Sequence, residues 1–337
     1  MISIIIPFRN DWDTIGDTIA TLIENADADD YEIIVVNDGS NDDSGRFKPL
    51  AINHPKVRVI NNVRNFGVGY AFDRGAEQAK GDMLILMGSD IHTTKGWYEK
   101  VRIEINRNPN TLGCAVSVGL AKGSNDFSGR PHRYGADLLF TVEENDLPLT
   151  SKLRGHKNGY TSLFSAKWLT AQESKEPYPI PCILGALYFT SKDYFNFLGG
   201  WDTEYGNRYR GFRGWGHLEP YISLKSWLCG GGCVLYPNII SGHNFGRVNK
   251  ENRWTKGARS AEWMWWNALF MLETMILDGD MRRKLYDFIN PELNFNIARK
   301  MIKDNYDTVL KIRNQNAQKF KYDYKIFVDK FQYCFDI

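Results

Sequence analysis

The sequence predicts an α/β protein, with a mostly parallel central sheet and helices on both faces. Three observations predict it. Strand-like and helix-like stretches alternate through the first hundred residues. The strand-like stretches are continuous apolar runs, as in strands buried on both faces. Several of these runs end in short polar segments, and in such sheets ligands bind beyond the carboxyl ends of the strands.

The elements follow in order. Residues 2–8, "ISIIIPF", form an apolar run ended near Pro7. A helix is expected over about residues 13–25. "YEIIVVNDGS" (31–40) is a second buried strand that finishes in polar residues. "VRVINNVRNFGVGYAFDRGAEQAKGDMLILMGSD" supplies a third short strand, a Gly-punctuated turn, a helix to about Lys80 and a fourth strand. Pro7–Asn10, Asn37–Ser40 and Ser89–His92 should gather at one crevice. Residues 111–180 are less regular and carry the cluster "EPYPIPC", so long surface segments suited to recognition are expected there. "CILGALYFTSKDYFNFLGGWD" reads as a strand and then a helix. "CVLYPNIISGH" reads as a further strand, ending on His243. From about Asn252 onward the pattern is mostly helical. "WMWWNALFMLETMIL" (263–277) is too short to span a bilayer and is interrupted by Asn267 and Glu273, so it reads as a buried amphipathic helix.

Composition narrows the function. Forty-two Lys and Arg against 40 Asp and Glu leave a net charge of +2, so no large basic field points to nucleic acid. Aromatics make up 14% of the chain, enough to serve both as core and as sugar-stacking surface. The five cysteines are odd in number and scattered, which argues against a disulfide framework and for a reducing compartment. Cys229 and Cys233 have a metal-like spacing, but no second Cys/His pair completes a zinc site, so they read as buried small residues. An apolar strand begins at the first residues, and no signal peptide or membrane anchor precedes it.

"MGSDIHTTKGW" (87–97) raises the chemical question. On an extended segment Asp90 and His92 point to the same side and can offer an oxygen and a nitrogen to one metal ion. The alternative is a solvated loop in which Asp90 or Thr93 caps a helix opening near Trp97.

Six segments, in order, resemble the nucleotide-sugar glycosyltransferases of the GT-A fold. They are "SIIIPFRND", "EIIVVNDGSND", the 62–92 stretch with "RNFG" and "SDIH", "GALYFTSKDYFNFLGGWD", "GWGHLEP" and "GGGCVLYPNIISGHNFGR". The nearest likeness is to the polypeptide N-acetylgalactosaminyltransferases and their bacterial and viral relatives. It rests on D-x-H at Asp90–His92, on W-x-C-G-G at residues 227–231 with Gly242-His243, and on "RSAEWM" at 259–264. The resemblance covers roughly residues 1–110 and 180–270. It implies a catalytic domain over 1–270, with a nucleotide-binding half at 1–110 and a sugar and acceptor half at 111–270. A helical extension follows at 271–337.

The resemblance also implies roles. Asp90, His92 and His243 match the ligands of a divalent cation, usually manganese, that bridges the enzyme and the donor diphosphate. Mixed N/O ligation suits manganese better than magnesium. Pro7, Phe8 and Arg9 match the stretch lining the nucleoside. Asp38 matches the carboxylate that reads uracil, and Asn37 stands where a second Asp is common. Arg64, Asn65 and Gly67 match the turn beside the nucleotide. Ser89 is expected near the ribose, and Gly185 with Ala186 under the sugar. In "WGHLEP" the carboxylate that contacts sugar or acceptor comes one residue late, as Glu219. Either Glu219 keeps the role or His217 shares it, with Trp215 and Asp202 nearby. The Asp that serves inverting enzymes as a base is replaced by Pro220, which tilts the reading toward retention. Residues 244–263 match a mobile loop that closes over the donor, with Gly246 and Gly257 as hinges and Arg247 and Trp254 reaching the diphosphate or sugar.

The expectation is therefore a manganese-dependent enzyme moving a sugar from a UDP-sugar to a hydroxyl of a protein or saccharide. With no anchor, it is expected to be cytoplasmic, in a bacterium or a virus-infected cell. A hydroxymethylated base in DNA is a further acceptor to consider. A nucleotide-sugar binding module without catalysis is the reading from another class.

Overall fold

The computed structural model describes residues 1–121, 124–128, 130–139, 163–185, 187–203, 211–214, 216–244, 261–287 and 293–331. The first third alternates as expected: β1 (Ile2–Phe8), α1 (Ile15–Glu24), β2 (Tyr31–Asp38), β3 (Val57–Asn62), α2 (Val68–Gln78), β4 (Met83–Met87), β5 (Ile91–Thr93) and α3 (Trp97–Arg107). The middle holds β6 (Leu112–Gly119), β7 (His132–Arg133), β8 (Ala136–Leu139), β9 (Ser165–Trp168), β10 (Tyr178–Pro179), β11 (Leu187–Ser191), α4 (Lys192–Leu198), α5 (Leu218–Cys229) and β12 (Cys233–His243). The remainder is helical: α6 (Ala261–Met275), α7 (Gly279–Asp287), α8 (Leu293–Asp304), α9 (Tyr306–Lys319) and α10 (Ile326–Phe331).

The main sheet runs β10-β12-β6-β11-β4-β1-β2-β3, with β5 paired to β12 and β7 to β6. β1 to β4 are mutually parallel where they pair, and β12 is parallel to β6. β11 is antiparallel to both neighbours, β4 and β6. β8 and β9 form a separate hairpin.

The apolar runs bury both faces of the sheet. Along β1, Ile4 and Ile6 pack on one side with Ile15, Ile19 and Trp97 of α1 and α3. Ile5 points to the other side, into a cluster that includes Phe72 of α2, Tyr221 of α5 and Trp265 of α6. This period-two division is why the strand reads as wholly apolar. The cluster extends to Phe295, Ala298, Val309 and Ile312, so the C-terminal helices share the core of the sheet. Helix α6 crosses residue 270 without a break.

Two expectations change. Within 111–180, where surface segments were expected, β6 lies inside the sheet with seven of its eight residues buried. Gly113 and Ser117 dilute its apolar pattern, yet a Cβ at Gly113 would sit 2.2 Å from the Phe189 ring, so packing demands the small residue. The Pro cluster supplies an edge strand, β10, where a missing N–H is tolerated. The segment "LEPYISLKSWLC", given no element above, is helix α5, with Pro220 in its first turn, where the absent donor would have had no intrahelical partner anyway.

Candidate functional site

The carboxyl ends of β1, β2 and β4 and the β5–β12 pair all approach one side of the sheet. The loops after β1 and β2 are joined by side-chain amides. Asn10, at φ 55°, donates from Nδ2 to Asn41 Oδ1 at 2.8 Å and accepts from the Asn41 amide at 2.9 Å. Its own amide donates to Ser40 Oγ at 3.0 Å. Phe8 is buried and packs edge-on against Trp12. Neither Asn10 nor Asn41 was singled out in the sequence, where they look like ordinary loop polars.

Asn37 and Asp38 are turned into the protein. Asn37 Nδ2 donates to Asn61 Oδ1 at 2.7 Å and to the Lys48 carbonyl, while its Oδ1 accepts from the Ser40 amide. Asp38 accepts from Asn62 Nδ2, Asn65 Nδ2 and the amides of Phe66 and Gly67, the last at 2.7 Å. Burial pushes its carboxyl up to about 6 despite these donors and the charge of Arg9. The sequence assigned these two residues to reading a base. In the structure both bond to the chain, and Asp38 fixes the Phe66–Gly67 turn that leads into α2. Arg9 is half-buried, and its Nε has no hydrogen-bond partner. That leaves a cationic donor at the crevice. Arg64 is exposed and lies over the Phe66 ring, and Asn65 is exposed beside it.

Gly67 brings the two halves together. It has φ 105° and bridges to Gly214, whose carbonyl accepts from the Val68 amide at 3.3 Å. Gly185, at φ 120°, makes a similar approach to β6, since a Cβ there would lie 2.6 Å from the Ser117 Cβ. Ser89 is buried, donates to Asp11 and accepts at its carbonyl from Thr18 Oγ1. It is a link between α1 and β4 rather than a group open to a ribose.

Asp90 and His243 meet. Asp90 Oδ2 is 3.4 Å from His243 Nε2, and the Asn244 amide donates to the Asp90 carbonyl at 3.1 Å. The cause is β5, a short strand where the sequence suggested a loop. It pairs antiparallel with β12, His92 opposite Gly242 and Ile91 opposite His243. The N-cap alternative fails, because α3 starts at Gly96 in the left-handed region with no side-chain cap. Two donors this far apart resemble neighbouring ligands of one small divalent ion, each roughly 2.1 Å from it. Among the described residues, no three His, Cys, Asp or Glu side chains already converge on one point. His92, buried on the adjoining strand, lies next to the pair in register.

Glu219 stands in the first turn of α5 and accepts from Tyr188 Oη at 2.9 Å. Burial pushes its carboxyl above the usual range, opposed by that hydrogen bond and by attraction to His243. Glu219 is thus near enough to His243 for the two groups to interact electrostatically. Tyr188 sits on β11 within an apolar run, which hid its role in the sequence.

Two expected catalytic groups are occupied elsewhere. His217 is buried at φ 59°, and its Nε2 lies 2.8 Å from the Leu163 carbonyl, to which it donates. Burial depresses its imidazole to about 4, so it stays neutral at ordinary pH. Asp202 is bound by Lys225, which is fully buried, and by Tyr221 Oη. It holds α5 rather than a substrate. Trp215, Ala186, Arg247 and Trp254, with Gly246 and Gly257, lie outside the described residues.

Four of the cysteines, Cys114, Cys182, Cys229 and Cys233, are buried free thiols. No helix among the described residues is long and apolar enough to cross a membrane.

This sheet order, with its site at the strand ends, is that of a GT-A glycosyltransferase. The crystal structure of GalNAc-T7 with UDP, GalNAc and Mn2+ superposes with a TM-score of 0.68 at 19% identity, covering 99% of this chain and 57% of that one. Residues 3–166 match the family model for glycosyl transferase family 2 and constitute a domain of that family, homologous to the polypeptide N-acetylgalactosaminyltransferases. Polypeptide N-acetylgalactosaminyltransferase 4 of Mus musculus is 27% identical over 273 residues, covering 78% of this chain and 43% of the relative. Polypeptide N-acetylgalactosaminyltransferase 12 of Homo sapiens is 26% identical over 275 residues, with the same coverage, 78% and 43%. The chain thus spans under half the length of these curated relatives.

Proposed function

We propose that this chain is a metal-dependent glycosyltransferase that moves a sugar from a UDP-sugar to a hydroxyl acceptor. The observation that carries the reading is the 3.4 Å approach of Asp90 to His243. Asp90 and His243, with His92, would hold a manganese ion. Bound there, the ion supplies a counter-charge for the leaving diphosphate.

The protein's own groups do the rest. The half-buried Arg9 offers its guanidinium to the nucleotide, and Asp38 fixes the turn at Gly67 beside it. Glu219, oriented by Tyr188, takes a hydrogen bond from the sugar or the acceptor. Its partial desolvation strengthens any such contact. Pro220 leaves no carboxylate next to Glu219 to deprotonate an acceptor in line, which supports a retaining reaction. The names of the relatives make N-acetylgalactosamine the first sugar to test and a Ser or Thr hydroxyl of a polypeptide the first acceptor.

The test is to incubate the protein with manganese and a panel of UDP-sugars and to measure UDP release. Release from one donor, abolished by EDTA, supports the reading and names the sugar. Calorimetric binding of UDP with manganese, but no release with any donor or acceptor, would instead favour a binding module.

A further inference from the structure

Helix α2 begins at the nucleotide-side turn, where Gly67 donates to Asp38. Two turns on, Asp73 leaves α2 toward the other half of the molecule. Its Oδ1 accepts from the Trp201 amide at 3.0 Å. Its Oδ2 accepts from the Thr203 amide at 3.2 Å and from Thr203 Oγ1. Gly200 has φ 52°, and a Cβ there would overlap Asp73 Oδ1 at 2.1 Å, so this turn is shaped around the carboxylate.

The same turn grips α5. Trp201 Nε1 donates to the Leu218 carbonyl at 2.8 Å, one residue before Glu219. Asp202 takes Tyr221 Oη and Lys225 Nζ, both on α5. The Trp201 ring is fully buried and stacks on Phe72, the neighbour of Asp73, at 5.1 Å. On its other side the turn borders a cavity of about 550 Å³, not packed side chains. The position of the turn is thus set by its hydrogen bonds together with the packing of Trp201.

We propose that Asp73 is a positioning residue: through Trp201 it ties α2, and with it the nucleotide side, to the first turn of α5, and so sets where Glu219 stands. The kinetic half of this inference rests on the glycosyltransferase reading; the structural half does not.

The experiment compares the full chain with Asp73→Ala, Asp73→Asn and Trp201→Phe. Hydrogen exchange is read first, without donor. Amides of residues 217–222 are expected to exchange several-fold faster in Asp73→Ala, while those of β1 and β2 keep their protection. Trp201→Phe keeps a ring against Phe72 but loses the bond to Leu218 and part of the buried indole volume, so it should loosen the same amides even if Asp73→Ala does not fold. Exchange confined to residues 200–203 in the variants, or raised equally across β1, overturns the proposal. Kinetically, Asp73→Ala should lower kcat about tenfold with donor KM unchanged, because a small misplacement near the reacting centre costs rate rather than donor binding. Asp73→Asn keeps the acceptor for Trp201 and should recover part of that loss. A rise in donor KM with kcat unchanged also overturns it. An inactive wild type sinks the glycosyltransferase reading alone, and the exchange result still decides this one.

Discussion

Asp90 Oδ2 and His243 Nε2 stand 3.4 Å apart because β5 and β12 pair antiparallel, carrying a carboxylate from the fourth parallel-strand loop to an imidazole at the end of the last strand. Neither residue can be moved without altering the other's surroundings. If this pair holds a divalent ion, Asp90→Ala and His243→Ala should each lower donor turnover by about 10²-fold or more, a loss of roughly 3 kcal/mol in transition-state stabilisation. Calorimetric titration with manganese in the presence of UDP gives a readout independent of turnover. Retained manganese affinity in both variants would remove the pair from the metal site.

Glu219 is expected to act on the sugar or acceptor and not on the metal. Glu219→Gln keeps the size of the side chain and the bond from Tyr188, and removes the charge. UDP and manganese binding should stay within about twofold, and kcat should fall about 10²-fold. Tyr188→Phe should give a smaller loss in the same direction. Equal kcat in Glu219→Gln and wild type would be evidence that another group does this work.

The buried His217 makes stability depend on pH. Its pKa is about 4 in the folded chain, held down by burial, against an ordinary value near 6.5. The unfolded chain therefore binds the proton more readily, and stability is lost as pH falls from about 6.5 toward about 4, by up to about 3 kcal/mol. His217→Asn suits the left-handed backbone and removes the titrating ring, though its shorter amide does not reach the Leu163 carbonyl. Urea unfolding at pH 7 and pH 5 should show a smaller difference for this variant than for wild type. An unchanged difference would assign the acid sensitivity to other groups.

Gly67 packs backbone to backbone against Gly214. A methyl group there would meet the Gly214 amide nitrogen at 2.6 Å, on a backbone at φ 105°. Gly67→Ala should cost roughly 3 kcal/mol of stability and weaken UDP binding, since the same turn is held by Asp38. Thermal unfolding and UDP titration measure both effects, and an unaltered midpoint would show that this contact can yield.

Much of the fold was legible because buried parallel strands announce themselves. β1, β2 and β4 are unbroken apolar runs of the kind that only a two-sided core requires. β6 escaped notice for the opposite reason: its small residues fit against Phe189, and that partner is far away in the sequence. Tyr188 was hidden in the same way, as one aromatic in an apolar strand. Asn37 and Asp38 were legible as important polar residues at a strand end, but the side to which they turn was not.

By itself, the sequence determined the alternation of elements and singled out Asp90 and His243, which the structure brings together. Periodicity and apolar runs are local properties, and so they can be read along one chain. Only the tertiary structure decided which polar groups remain open to a ligand. Asp38, Asn37, His217 and Asp202 are chemically as capable as Glu219, yet each is bound by partners distant in the chain, such as the turn at Gly67, Asn61, the Leu163 carbonyl and Lys225. A buried donor or acceptor must find a partner, and which one it finds depends on long-range packing that no local pattern records.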